Sequence, residues 1–239
     1  MKRSKKAPPK KLPAKKAPPP RASAKKAPAK KAPAKKAPAK RAPAKRHSAP
    51  NSALYAAVLA DDAKAVARAF AAGADPNYVS GERAAAAWAV ERGKLPIVEA
   101  FIAAGLDVSL SVDEGWSLLM LAATEKVARA LLAAGADVNH QSPGSAHEKS
   151  DTVLTLAAKI HPAEVVAALL EHGADPNRAR ADGCTPLIEA GARLDVVELL
   201  LQAGAVDVAG YRGQSALDIA IECRNDRLVA LLKQSAGRS

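Results

Sequence analysis

The chain has 239 residues, 49% of them hydrophobic but only 3% aromatic, and a formal net charge of +12. No stretch approaches the roughly 20 consecutive apolar residues of a membrane-spanning helix, and the N-terminus lacks the apolar run of a secretory signal. Two cysteines, Cys184 and Cys223, without CxxC spacing exclude a zinc ribbon or a disulfide framework and fit a reducing compartment.

The charge is divided unevenly. Residues 1–50 hold 15 Lys and 4 Arg with no Asp or Glu, a charge of +19, so the rest of the chain carries −7. The same 50 residues hold 11 of the 17 prolines. Apart from Met1, Leu12 is the only large apolar side chain there, too little to offset roughly 1–2 kcal/mol of backbone entropy per residue. The segment is therefore predicted to be disordered. Lys-Lys-Ala-Pro recurs at 5–8, 15–18, 25–28, 30–33 and 35–38, with Lys-Arg-Ala-Pro at 40–43. Proline at that frequency excludes a continuous helix and favours an extended, polyproline-like chain of up to about 150 Å at about 3.1 Å per residue.

From residue 51 onward a longer period takes over. Gly-Ala-Asp-Pro-Asn at 73–77 recurs as Gly-Leu-Asp-Val-Ser at 105–109, Gly-Ala-Asp-Val-Asn at 135–139, Gly-Ala-Asp-Pro-Asn at 173–177 and Gly-Ala-Val-Asp-Val at 204–208. Apolar residues at helical spacing precede the glycines, such as Val196, Val197, Leu199 and Leu200 before Gly204, and glycine there is the usual left-handed helix stop. About eight residues beyond, a second helix opens. Thr185 is placed to cap it and Pro186 to fill its first turn, with Ser52, Ser117, Thr152 and Ser215 in equivalent places. Each unit is then two short helices and a loop, and it must stack on neighbours to bury its apolar face.

These residues resemble the ankyrin repeat, whose Thr-Pro-Leu-His opening, Val-Val-x-Leu-Leu-Leu helix and Gly-Ala-Asp-Val-Asn ending are closely matched by Thr185-Pro186-Leu187-Ile188 through Gly204. The resemblance covers residues 51–235 and implies an all-α solenoid of about six repeats: 51–77, 78–109, 110–139, 140–177, 178–208 and 209–235. Repeat two departs from the pattern, with Ala84 to Ala87 in place of the opening and Trp88 expected to fill the core. Repeats three and five are shortened between their helices, and the finger of repeat four, from His140 to Asp151, is lengthened by about five residues.

The resemblance also implies a concave surface for a protein partner, built from finger tips and the first helices. Its variable positions fall at Arg83, Glu91 and Arg92; Asp113, Glu114 and Trp116; Glu148, Lys149, Asp151 and Lys159; Asp182 and Arg193; and Tyr211, Arg212 and Glu222. Exposed aromatics and arginines are favoured interface anchors, which singles out Trp116 and Tyr211, whereas the charged positions read equally as solvated rim.

No nucleophile elbow, phosphate-cradling loop or metalloprotease motif is present, and neither catalysis nor a cofactor is expected. His140, His147, Glu148 and Asp151 share one finger, but ligands in an unconstrained loop make no metal site by spacing alone. His161 and His172 read as structural. Cys184 is expected at an exposed finger position, and Cys223 in the last first-row helix as a buried or half-buried thiol.

The basic segment resembles the Lys/Ala/Pro-rich tails of linker histones and histone-like bacterial proteins, which implies nonspecific binding to DNA, RNA or another polyanion. Lys25, Lys26, Lys30, Lys31, Lys35, Lys36, Lys40 and Arg41 would carry it through counterion release. With 6–10 phosphates engaged, affinity falls roughly 10³–10⁵-fold between 50 and 200 mM salt. Without interleaved aromatics no base specificity is expected. Solubilisation, an import address, or masking of the acidic repeats are the other readings of this tail, with Ser23 and Ser48 as candidate phosphorylation sites. A cytoplasmic monomer, associated with a nucleoid or a nucleus if the tail meets nucleic acid, is the expectation.

Overall fold

The computed structural model describes residues 48–80, 83–112, 115–143 and 150–237. The tail cations from Lys25 to Arg41, and Ser23, lie outside them.

Six helix pairs follow one another. They are α1 (Ala49–Leu59) with α2 (Ala63–Ala71), α3 (Ala85–Glu91) with α4 (Leu95–Ala103), and a 3-10 turn (Leu118–Leu121) with α5 (Glu125–Ala133). Then come α6 (Val153–Ile160) with α7 (Ala163–Glu171), α8 (Pro186–Ala190) with α9 (Leu194–Gln202), and α10 (Ala216–Glu222) with α11 (Asp226–Ala236). First helices pack on first helices from α1 to α8, and second helices on second helices from α2 to α11, giving two rows. The expected shortening appears as the 3-10 turn of four residues and the five-residue α8. Between pairs, the chain forms small antiparallel hairpins: β1 (Val79–Ser80) with β2 (Arg83–Ala84), and β3 (Ser111–Val112) with β4 (Trp116–Ser117). A single bridge from Gln141 to Thr152 closes the longer finger.

Helix starts follow the predicted side-chain chemistry at three of the five places, with two corrections. The hydroxyls of Thr152, Thr185 and Ser215 accept from the third backbone N–H of their helices, as expected. Ser117 makes no such bond. At the first helix the cap is Ser48 rather than Ser52, because Ser48 accepts from the N–H of Asn51 and Pro50 fits the first turn. Ser52 lies inside the helix. The five predicted stops, Gly73, Gly105, Gly135, Gly173 and Gly204, all have φ between +86° and +93°, where an L side chain is strained.

The core is a row of large side chains at one repeated position. Phe101, Leu131, Leu169 and Leu200 each stand four residues before a stop glycine and are at most 1% exposed. Full burial of one such side chain contributes roughly 1.5–3 kcal/mol, and each is covered in part by the neighbouring pair. Alanines fill the narrower first row in repeat two, where Ala84 to Ala87 are at most 1% exposed.

A polar ladder fixes the register between pairs. The Asn77 side chain accepts from the N–H of Asp107 at 2.8 Å and donates to the carbonyl of Gly105 at 3.5 Å. Asn139 does the same to Asp175 and Gly173, and Asn177 to Val206 and Gly204. Asn51 supplies an acceptor to the N–H of Asp75 from within α1. At the equivalent fourth place stands Ser109. Its hydroxyl is too short to cross and donates to Asp107 at 2.5 Å. Its backbone keeps the turn of the others, since the N–H of Ser109 donates to Asp107 as that of Asn77 donates to Asp75.

A missing rung in an intact turn can be restored. Ser109→Asn should raise stability by about 1 kcal/mol, a melting shift of about 2–4 °C, whereas Asn139→Ala should lower it by about 1–3 kcal/mol. Thermal and urea unfolding of the two variants measures both.

Candidate functional site

The side chains available to a partner lie along the first-row helices and fingers. Trp88 sits on α3 four residues after its cap position, the offset that also places Glu189 on α8 after Thr185. It packs against the core yet remains only partly buried, contrary to the expectation that it fills the interior. The physical reason is its neighbours. The buried side of α3 is made of alanines, and the guanidinium groups of Arg83 and Arg92 lie 4.5 and 5.2 Å from the centre of the Trp88 ring. Arg83 also pairs with Glu91 at 2.8 Å, and Arg92 donates to the carbonyl of Leu59. Two expected contact residues, Arg83 and Arg92, thus converge on an aromatic expected in the core, and a third, Glu91, pairs with Arg83.

A second cluster joins repeats four and five. Arg180, missed from the sequence, has a side chain only 1% exposed and makes ion pairs with three carboxylates. It donates to Asp151 at 2.9 Å, to both oxygens of Asp182 at 3.1 and 3.2 Å, and to Glu189 at 2.6 Å. Burial pulls its pKa down, but the carboxylates outweigh this and hold it above its ordinary value. Removing one member of such a buried set costs on the order of 3–5 kcal/mol, so the cluster fixes the base of the long finger against the next one. Lys159, more than half exposed, reaches Glu189 at 3.8 Å. Asp151 and Asp182 are therefore architectural as well as peripheral.

Cys184 is corrected by the same cluster. It is 2% exposed rather than open, with its thiol donating to Glu189 at 3.4 Å. Burial, then the Glu189 charge, pushes its pKa up to about 12, which leaves it a poor nucleophile. Cys223 is corrected in the opposite sense, since it stands just past the end of α10 and is exposed.

A third set of ties crosses the turns between paired helices. His161 shares a hydrogen bond with the carbonyl of Met120 at 2.8 Å, linking repeat four to repeat three. Arg193 donates to the carbonyls of Ala157, Ala158 and His161, closing the end of α6 from repeat five. Arg193 was expected at the partner surface, but its donors are taken up within the stack. A buried imidazole beside a guanidinium is disfavoured as a cation, and the His161 pKa is lowered, by burial first and by Arg193 as well.

The other expected positions are more dispersed. Trp116 lies in β4, partly buried and packed against the core. Glu222 is exposed at the end of α10 and accepts from Gln214 at 2.6 Å. Arg212 is exposed in a short turn (Tyr211–Gly213), where its φ is +55°. The backbone of Tyr211 opens the same turn. Asp113, Glu114, His147, Glu148 and Lys149 lie outside the described residues. His140 shares a hydrogen bond with the carbonyl of Gly115 at 3.0 Å. Among the described residues no group of three or more His, Cys, Asp or Glu could hold a metal, and no helix is long and apolar enough to cross a membrane.

The stacked pairs, glycine stops and Asn rungs match a known pattern. The family model for ankyrin repeats, in three copies, covers residues 53–142 and 154–238. The chain belongs to the ankyrin-repeat family. Its repeats are similar to those of a putative ankyrin repeat protein of fowlpox virus, 29% identical over 170 residues, which are 66% of this chain and 49% of that one. A putative ankyrin repeat-containing protein of Treponema pallidum is 36% identical over 118 residues, 47% of this chain and 38% of its own length. The chain thus spans about half or less of these curated relatives. Among solved structures, the ankyrin repeat domain of Bcl-3, a member of the IkappaB protein family, superposes with a TM-score of 0.65 at 25% identity, over 75% of this chain and 81% of that one.

His161 supplies a pH test of the ankyrin stack. Its neutral form is favoured in the folded state, so its contribution is complete well above the ordinary pKa of 6.5 and is lost as pH falls through and below that value, where the unfolded chain takes up a proton first. The melting temperature should fall over that window, and less steeply in His161→Gln, which keeps an N–H donor. Parallel curves for the two proteins would contradict the assignment.

Proposed function

We propose that this protein is a non-enzymatic adaptor that holds a protein partner on its fingers and first-row helices. Ankyrin repeats are in general protein-interaction modules, and this chain carries at least six helix pairs of them. The observation that carries the reading is Trp88, a half-covered aromatic flanked by two arginines, the combination over-represented among interface anchors. Around it, Glu91 and Arg92 on one side and Lys159 and Glu222 further along remain exposed. Asp113, Glu114, Trp116, Glu148, Lys149, Tyr211 and Arg212 complete the proposed contact set.

The basic tail adds a second function in this proposal. Nineteen cations without a single acid on residues 1–50 favour nonspecific association with DNA, RNA or another polyanion. The protein then tethers its partner to nucleic acid in the cytoplasm, at a nucleoid or in a nucleus. A tail that only solubilises, targets or masks the repeats is the competing reading, supported by the −7 charge of the remaining chain.

Two comparisons test the halves separately. A partner captured by the full chain should bind at least tenfold more weakly to Trp88→Ala, and also to Arg92→Glu, whose exposed position leaves folding intact. Equal binding by both variants contradicts the assigned surface. The full chain should also retain nucleic acid at low salt better than a chain beginning at Ser48, and equal retention removes the tail function.

A further inference from the structure

The second-row helices stack from α2 to α11, but the last step differs from the others. Between α9 and α11 lies a groove of about 570 Å³. Leu201 of α9 and Leu231 of α11 line it, together with Ala205 and Val206 from the segment after α9. Val208 occupies the place that Asn77, Asn139 and Asn177 hold in their repeats, and it has no amide to bond to the pair that follows. Val206 is 56% exposed and Val208 is 47% exposed, two large apolar side chains left in water. On the first-row side of the same junction a smaller apolar space of about 90 Å³ lies between α8 and α10.

The charges of the groove have one sign. The ionisable groups lining it are Glu198 and Asp207, both acidic. Asp207 is held in place by accepting from the N–H groups of Ala216 and Leu217 at 2.7 and 3.1 Å, so it presents a fixed carboxylate at the start of α10. Glu198 is exposed on α9.

We propose that this groove docks an amphipathic helix of a partner protein, with an apolar ridge seated on Leu201, Val206 and Leu231 and flanking Lys or Arg facing Glu198 and Asp207. A trough between two packed helices is shaped for the ridge of a third, because side chains at helical spacing interdigitate with those on either wall. Its volume lies within the range of roughly 300–1,000 Å³ typical of binding clefts. The acidic rim selects against an acidic helix, which would meet like charge along the α9 side. This site faces away from the fingers, so it is independent of the partner surface proposed above.

The test uses the full chain and three synthetic 18-residue helices: a leucine ridge with lysine flanks, the same ridge with glutamate flanks, and lysine flanks with the ridge leucines changed to serine. Amide hydrogen exchange locates each peptide. The leucine–lysine helix should slow exchange in residues 198–207 and 231–236. The double variant Glu198→Lys, Val206→Lys alters two exposed side chains and should weaken its affinity at least tenfold with an unchanged melting temperature. Glu164→Lys, exposed on α7, should change the affinity less than twofold. The proposal is overturned if those segments gain no protection, if the serine version or the glutamate version protects them equally, or if the double variant binds as tightly as the natural chain.

Discussion

A pair of helices of at most eleven residues cannot bury its own apolar face, and this constraint organises the whole domain. Each pair borrows its missing interior from the next, so what decides the fold is how neighbouring pairs are held in register. Apolar contacts such as those of Phe101, Leu131, Leu169 and Leu200 supply most of the free energy but little positional precision. The asparagine rungs supply the register. One side chain both donates and accepts across the gap, so it reads two backbone groups of the next repeat at once, which a carboxylate, having no donor, cannot do and a serine hydroxyl is too short to do.

Where the rungs stop, other devices take over or the stack loosens. The Arg180 cluster and the Arg193 and His161 ties concentrate around repeats four and five, where α8 is the shortest α-helix and the finger of repeat four is the longest. A five-residue helix buries little by itself, and a guanidinium held by three carboxylates compensates by fastening the segments on either side. Between α9 and α11, where Val208 stands at the asparagine place, the junction holds an open groove.

Much of this was legible in the sequence. Repeat spacing, glycine stops and Thr-Pro starts each have a local cause, and local causes are visible in one dimension. That repeats three and five are short was legible for the same reason, although the shortening falls on their first helices rather than between the helices. What escaped was set by distant partners. Arg180 reads as one more finger cation, because nothing in the sequence brings Asp151, Asp182 and Glu189 to it from separate segments. Cys184 was misplaced with it, since the cluster that covers its thiol could not be seen. Trp88 reads as core from the sequence because it stands where the repeat pattern commonly has leucine. Its offset from the helix start, the same as that of Glu189, is the signal that would have placed it on the accessible side. Ser48 was passed over as a cap because the composition change at Pro50 suggested a later start.

The claim that single asparagines set the coupling between repeats is tested most directly by residue-resolved amide hydrogen exchange on the native protein. The account predicts that the N–H groups of Asp107, Asp175 and Val206, each bonded to an asparagine of the preceding repeat, exchange at least tenfold more slowly than that of Asp137, which faces Ser109. Equal exchange at all four positions would contradict it, and would leave apolar packing alone to hold the stack.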